Sequence, residues 1–171
     1  EKNAAYNQKQ VGEAGLTKLF KEMTILFNEI VFGPIKSRRL GVSLGVNLLP
    51  LHGKWCNFDC IYCECGFNKD GKGDLCLPTR EEVANALEAK FKNHDPSVGN
   101  IDTITFSGNG EPTLHPEFSK IIVKKLELRE KFAPQAKVSV LTNGSRIGVK
   151  DVAEALLKVD NAIIKIDSAL D

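Results

Sequence analysis

Long apolar runs are missing from this chain. No stretch approaches the ~20 consecutive apolar residues that span a bilayer. No charged start, apolar middle and small-residue cleavage site marks a secretory leader. An excess charge of one sign is missing too. The 23 basic and 22 acidic residues leave a net +1, so no whole-molecule field draws in nucleic acid or an anionic membrane, although a local patch still can. No internal repeat and no low-complexity tract is present. Cysteine is absent from most of the chain: all five, Cys56, Cys60, Cys63, Cys65 and Cys76, fall in one short window. A disulfide framework ties distant segments and uses an even number of thiols. Clustering in odd number favours metal or cluster ligation in a reducing compartment, with the cytoplasm as default.

What is present is ordinary globular material. Hydrophobic residues are 42% and charged residues 26% of 171, enough for one domain with a sizeable core. Residues 1–31 read as a leader and helix, with Leu16, Leu19, Phe20 and Met23 on one stripe. Met23, the only methionine, is a candidate natural start with an added leader before it. The alternative is a native N-terminal helix capping the domain. Residues 32–171 read as the domain proper.

Within that domain strands alternate with helices. Val42–Leu49 reads as a strand. Thr79–Lys92 reads as a helix opened by a capping box of Thr79 and Glu82. Ile101–Ser107 is the next strand, followed by a helix from about Pro116 to Lys131. Lys137–Thr142, a helix over Val149–Lys158, and a strand over Ala162–Ser168 complete the pattern. Alternation of this kind predicts βαβ units and a parallel sheet. Ile104 and Phe106 share one strand face, and Thr103, Thr105 and Ser107 the other. Ile164 and Ile166 likewise oppose Lys165 and Asp167. Parallel strands buried on both faces read as continuous apolar runs. One polar face suits an open or partial barrel whose interior binds a ligand; an edge strand facing solvent is the alternative. A closed (β/α) barrel takes ~250 residues, and this chain supplies about four parallel strands with three helices. The expected fold is therefore α/β, a truncated barrel, or one whose open sheet edge is covered by a partner or a second copy.

Cys56-Asn57-Phe58-Asp59-Cys60-Ile61-Tyr62-Cys63 places three thiolates on one tight loop at C-x3-C-x2-C spacing. Each can reach one iron of a [4Fe–4S] cube, leaving the fourth iron open. Phe58, Ile61 and Tyr62 interleave with them and can shield a cluster from water. A zinc knot is the alternative, with Cys65, Cys76 or His52 as fourth ligand. Cys65 and Cys76 are otherwise two free cysteines, ligands of a second cluster, or thiols with chemistry of their own. A second motif, Ser107-Gly108-Asn109-Gly110-Glu111-Pro112, follows a predicted strand. His115, just before a helix, reads as structural. Lys36, Arg38 and Arg39 form a basic cluster able to grip a phosphate, or simply a solvated patch.

The cysteine run, with its aromatic Tyr62, resembles the signature of the radical S-adenosylmethionine (SAM) superfamily. Asn109-Gly110-Glu111-Pro112 resembles the Gly-Gly-Glu-Pro segment of the same superfamily, with Asn109 in place of the first glycine. Asparagine tolerates left-handed backbone better than most residues. The resemblance implies a [4Fe–4S] cluster on Cys56, Cys60 and Cys63. It implies SAM chelated by the open iron and cleaved reductively to a 5′-deoxyadenosyl radical. It further implies Tyr62 near the adenine, Glu111 as acceptor for the SAM ammonium, Gly110 and Pro112 shaping that turn, and Asn143 and Asp167 at strand ends near the ribose or substrate. A reducing partner such as a flavodoxin or ferredoxin is implied, with no membrane role. Gly33–Gly41, Ser43–Asn47 and the Gly-Asn-Gly form of the second motif are similar to wyosine-type tRNA-modifying members. The substrates left open are a small molecule, a tRNA, or a protein activated through a glycyl radical.

Overall fold

The computed structural model describes residues 24–69 and 76–166. The expectations for Met23 and the stripe before it, and for Asp167, lie outside the described residues. The sheet has five strands in simple succession: β1 (Val31–Ser37), β2 (Gly41–Val46), β3 (Thr103–Phe106), β4 (Lys137–Thr142) and β5 (Asn161–Ile164). β1 pairs antiparallel with β2; β2 to β5 are parallel. The four parallel strands expected are thus present, and β1 is an addition. It eluded the sequence reading because Pro34 lies inside it, and proline is confined to edges and bulges of sheets. β1 is such an edge, with a register shift between Phe32 and Ile35.

The helices α1 (Arg80–Lys92), α2 (Phe118–Phe132) and α3 (Lys150–Leu156) cross between parallel strands. α1 begins as expected: Thr79 Oγ1 accepts from Glu82 N–H, and Glu82 accepts from Thr79 N–H, a complete capping box. α2 starts at Phe118 rather than Pro116, because a turn of 3-10 helix at Pro112–Leu114 and His115 precede it. α3 stops at Leu156, and Leu157 and Lys158 lie outside it.

Register explains the two faces of the sheet. Leu44, Ile104 and Val138 align across β2, β3 and β4, as do Val46, Phe106 and Val140. All six join Val83, Leu87, Ile121, Ile122, Leu128, Val152 and Leu156 of the helices in one core. Gly45, Thr105, Ser139 and Asn161 align on the opposite face. That face is polar, as the alternation predicts, yet it is closed over β2 and β3. Ser43 and Thr105 hydroxyls bond at 2.7 Å, Asn161 Nδ2 donates to Ser139 Oγ at 3.0 Å, and Phe32 covers Gly45 so closely that a Cβ there would strike its ring. Phe27 stacks on Phe32 with centroids 3.7 Å apart. Towards β5 the cover is lost: Ile163, Ile164 and Ile166 are exposed. The apolar face that alternation assigns to Ile164 and Ile166 is therefore not part of the core among the described residues. β5 also starts one residue earlier and ends at Ile164.

Candidate functional site

The site gathers at the carboxyl ends of β2, β3 and β4, where parallel α/β sheets place their ligands. Just past β2, Asn47 is fully buried. Its Oδ1 accepts from Leu49 N–H at 3.2 Å and from Asn109 N–H at 3.1 Å, so it joins the end of β2 to the loop after β3. Gly108 and Gly110 flank Asn109 with φ of 152° and 133°, conformations that side chains rarely adopt. Space forbids side chains there as well. A Cβ on Gly108 would run into Asn47, and one on Gly110 into the Trp55 carbonyl.

That close approach is what anchors the cysteine loop. Trp55 N–H donates to Asn109 O at 2.8 Å, and Glu111 N–H donates to Trp55 O at 3.0 Å, a short parallel bridge. Cys56 follows directly. Cys63 N–H donates to Cys60 O and Gly66 N–H to Cys63 O, both at 3.0 Å. Cys56, Cys60 and Cys63 are half-buried and in no disulfide. Burial pushes the Cys56 thiol up from its ordinary value, and the Phe58 amide and Lys54 partly offset this. Cys65 is pushed up to about 12 by burial and by neighbouring Cys63. Its Sγ donates to Gly108 O at 3.5 Å, while Cys76 is exposed.

The side chains of the second motif hold the surrounding loops together. Asn109 is fully buried. Its Nδ2 donates to Phe27 O and Pro50 O, and its Oδ1 accepts from Phe27 N–H, all at 2.8 Å. The side chain is a clamp on the segment before β1, and the positive φ angles cited for this turn belong to the two glycines. Glu111 is 2% exposed. Oε1 accepts from Thr113 N–H, Thr113 Oγ1–H and Thr142 Oγ1–H, and Oε2 accepts from Asn143 N–H, at 2.6–3.0 Å. Each carboxylate oxygen offers about two acceptor positions; Oε1 is crowded by three donors, whereas Oε2 takes one and keeps a second. Pro112, also buried, opens the 3-10 turn. Asn143 Nδ2 donates to Asn57 Oδ1 at 3.0 Å and reaches Cys56 Sγ at 3.9 Å. Glu111 and Asn143 therefore link β3, β4 and the cysteine loop.

Phe58, Ile61 and Tyr62 do not enclose the thiols. They are exposed, Ile61 by 87%, and the Tyr62 ring carries the Lys165 ammonium 3.5 Å from its centroid. His115 is structural, as expected. Nε2 bonds Pro78 O at 3.0 Å and Nδ1 accepts from Glu117 N–H at 3.1 Å. Burial lowers its pKa, against the opposing effect of the Pro78 carbonyl. His52 is exposed. Arg38 and Arg39 lie in the turn before β2, at the opposite end of that strand from the cysteines. Six residues separate the ends by roughly 17 Å.

Among the described residues no three His, Cys, Asp or Glu side chains are grouped to hold a single metal ion. The ligands of a cubane bind separate irons and stand farther apart than the ligands of one ion. Three half-buried thiols on one loop are the donor set such a cluster takes, and the residues present fit it. Sequence reading missed Asn47, Trp55, Thr142 and Lys54. Asn47 and Thr142 carried the weak signal of a polar residue at a strand end, and Trp55 and Lys54 carried none.

Residues 51–171 match the Radical SAM superfamily model. The chain belongs to that superfamily. It is 37% identical over 139 residues to a UPF0026 protein of Helicobacter pylori, covering 81% of this chain and 42% of that protein. It is 36% identical over 146 residues to a UPF0026 protein of Methanocaldococcus jannaschii, covering 81% of this chain and 40% of that one. A "GTPase Obg" of Brachyspira hyodysenteriae is 33% identical over 162 residues, which are 94% of this chain but 22% of that protein. The chain thus spans less than half the length of these relatives. No solved structure matches it significantly. No helix among the described residues is long and apolar enough to cross a membrane.

Proposed function

We propose that this chain is the cluster-binding part of a radical SAM enzyme built on a partial (β/α) barrel. Cys56, Cys60 and Cys63 would hold a [4Fe–4S] cluster, and SAM would bind at its open iron. The observation that carries this reading is the Trp55 bridge to Asn109 and Glu111, which seats the three-thiol loop against the second motif. When bound and reduced, the cluster supplies the electron that cleaves SAM to methionine and a 5′-deoxyadenosyl radical.

The chain's own residues position that site. The two glycines let the second motif approach the loop. Asn143 restrains Asn57 and Cys56 from the end of β4. Glu111 keeps one acceptor position for the SAM ammonium, and Tyr62 offers a ring face for the adenine once Lys165 moves aside. Asp167, three residues after the end of β5 in sequence, is assigned to the ribose or substrate. Reduced thiols suit the cytoplasm, and a flavodoxin or ferredoxin is the electron donor this chemistry calls for. Arg38 and Arg39 stand at the far end of β2, and much of the segment resembling wyosine-type enzymes forms β1, its turn and β2. A tRNA substrate therefore rests mainly on scaffold residues.

Anaerobic reconstitution with iron and sulfide tests the reading. Absorption and EPR spectra of a [4Fe–4S] cluster are expected in wild type and in C76A, and loss of the cluster in C56A, C60A and C63A. Dithionite with SAM should then release 5′-deoxyadenosine. Stoichiometric zinc without iron after oxygen-free purification would sink the proposal.

A further inference from the structure

The cysteine loop contains a buried cation. Lys54 precedes Cys56 by two residues, and its side chain is 1% exposed. An ammonium taken out of water is costly unless it is paired and hydrogen-bonded. Here Nζ donates to Gly66 O at 2.8 Å and to Asp59 Oδ1 at 3.2 Å. The same Asp59 oxygen accepts from Asn68 N–H at 2.7 Å, and Asn68 Nδ2 donates to Phe58 O at 3.2 Å. Cys56, Cys60, Cys63 and Cys65 all lie between Lys54 and Gly66 in sequence. One ammonium therefore closes the ring of chain that carries them. The root of that lysine is fixed as well, because the next residue, Trp55, is bridged to the second motif.

A neutral amide or hydroxyl could close a ring without desolvating a charge. A buried charge that closes the ring of chain carrying the thiols is felt by them, because the local dielectric is low. Its counter-ion is less effective: the Asp59 side chain is 48% exposed, so solvent and salt screen it. The other acidic groups facing the thiols are Glu64, exposed, and Glu111, buried and held by four donors. Net charge and hydrogen bonding near the sulfurs are among the factors that set a cluster's potential.

We propose that Lys54 is a positioning residue with two duties: it holds the cysteine loop closed before any cluster binds, and it supplies a fixed positive charge that raises the reduction potential of the cluster. The second duty rests on the function proposed above; the first does not.

Wild type, K54M, K54R and D59N, each in the full chain, separate the two. In metal-free protein, site-by-site iodoacetamide labelling read by mass spectrometry compares Cys60 and Cys63 with exposed Cys76. K54M and D59N should raise that labelling ratio about tenfold, the effect of losing one charge-assisted hydrogen bond. Unchanged ratios in both variants overturn the closing role. After reconstitution, EPR-monitored redox titration should give K54M a more negative midpoint than wild type, with K54R restored towards it. Equal midpoints in K54M and wild type overturn the charge role, since a merely structural lysine would loosen the loop without lowering the potential. Failure of wild type to take up a cluster overturns the proposed function and the second duty together. The labelling ratio still decides the first.

Discussion

Replacing Lys125 with methionine is expected to stabilise the fold, most strongly at and below neutral pH. Lys125 lies on the inner stripe of α2 with Phe118, Ile121, Ile122 and Leu128. It is 0% exposed, and its Nζ has no hydrogen-bond partner. Burial, with a smaller contribution from the charge of Lys124, depresses its pKa from 10.5 to about 7. The folded state therefore resists protonation that the unfolded chain accepts freely. Below about pH 7 both states are charged and the penalty is complete. It shrinks as pH rises through the interval up to 10.5 and vanishes above it. At 1.36 kcal/mol per tenfold change in proton affinity, the full penalty is on the order of 5 kcal/mol. Methionine keeps the length of the stem without the charge. Urea unfolding of both proteins at a series of pH values from about 6 to 10 reads the difference directly. A large gain for K125M at the acid end, closing towards the alkaline end, is the expected result. A gain independent of pH, or no gain at about pH 6, would refute the claim that a buried, unpaired ammonium burdens α2.

Three further outcomes follow from the site. N109G, which restores the glycine of the superfamily motif, removes three side-chain hydrogen bonds. It should cost about 2–3 kcal/mol in thermal or urea unfolding and speed hydrogen exchange at the Phe27 amide; unaltered exchange there would contradict the clamp. E111A leaves the Thr113 and Asn143 amides without their acceptor. A loss on the order of 3 kcal/mol is expected, whereas E111Q, which keeps one acceptor oxygen, should lose less. G110A forces a Cβ against the Trp55 carbonyl at a φ of 133°. It should detach the cysteine loop, seen as faster exchange at the Trp55 and Glu111 amides and poorer cluster uptake, with α1 to α3 intact by circular dichroism.

Much of the frame was legible in the sequence because its signals are local. Thr79 and Glu82 are three residues apart and cap the helix they predict. The parallel strands β2 to β4 follow from their order between helical segments, and the polar and apolar faces of β3 follow from alternation along a single segment. β1 was hidden by Pro34, whose cost depends on whether the strand lies at an edge. The ends of α2 and α3 shifted by about two residues, as helix boundaries commonly do. The isoleucines after β4 read as a core face, yet whether a residue is buried depends on what lies against it.

The candidate site divides the same way. The spacing of Cys56, Cys60 and Cys63 is a property of the chain, and it alone directs attention to a cluster. The roles of Asn109, Glu111 and Lys54 are not, because hydrogen bonds and burial are settled by partners that only folding brings near. Asn109 meets Phe27 across 82 positions and Pro50 across 59, and Glu111 meets Asn143 across 32. Covalent spacing sets which ligands can share a loop. The approach of β2, β3 and β4 through backbone pairing decides which polar atoms remain open on that loop and which are already engaged in holding it in place.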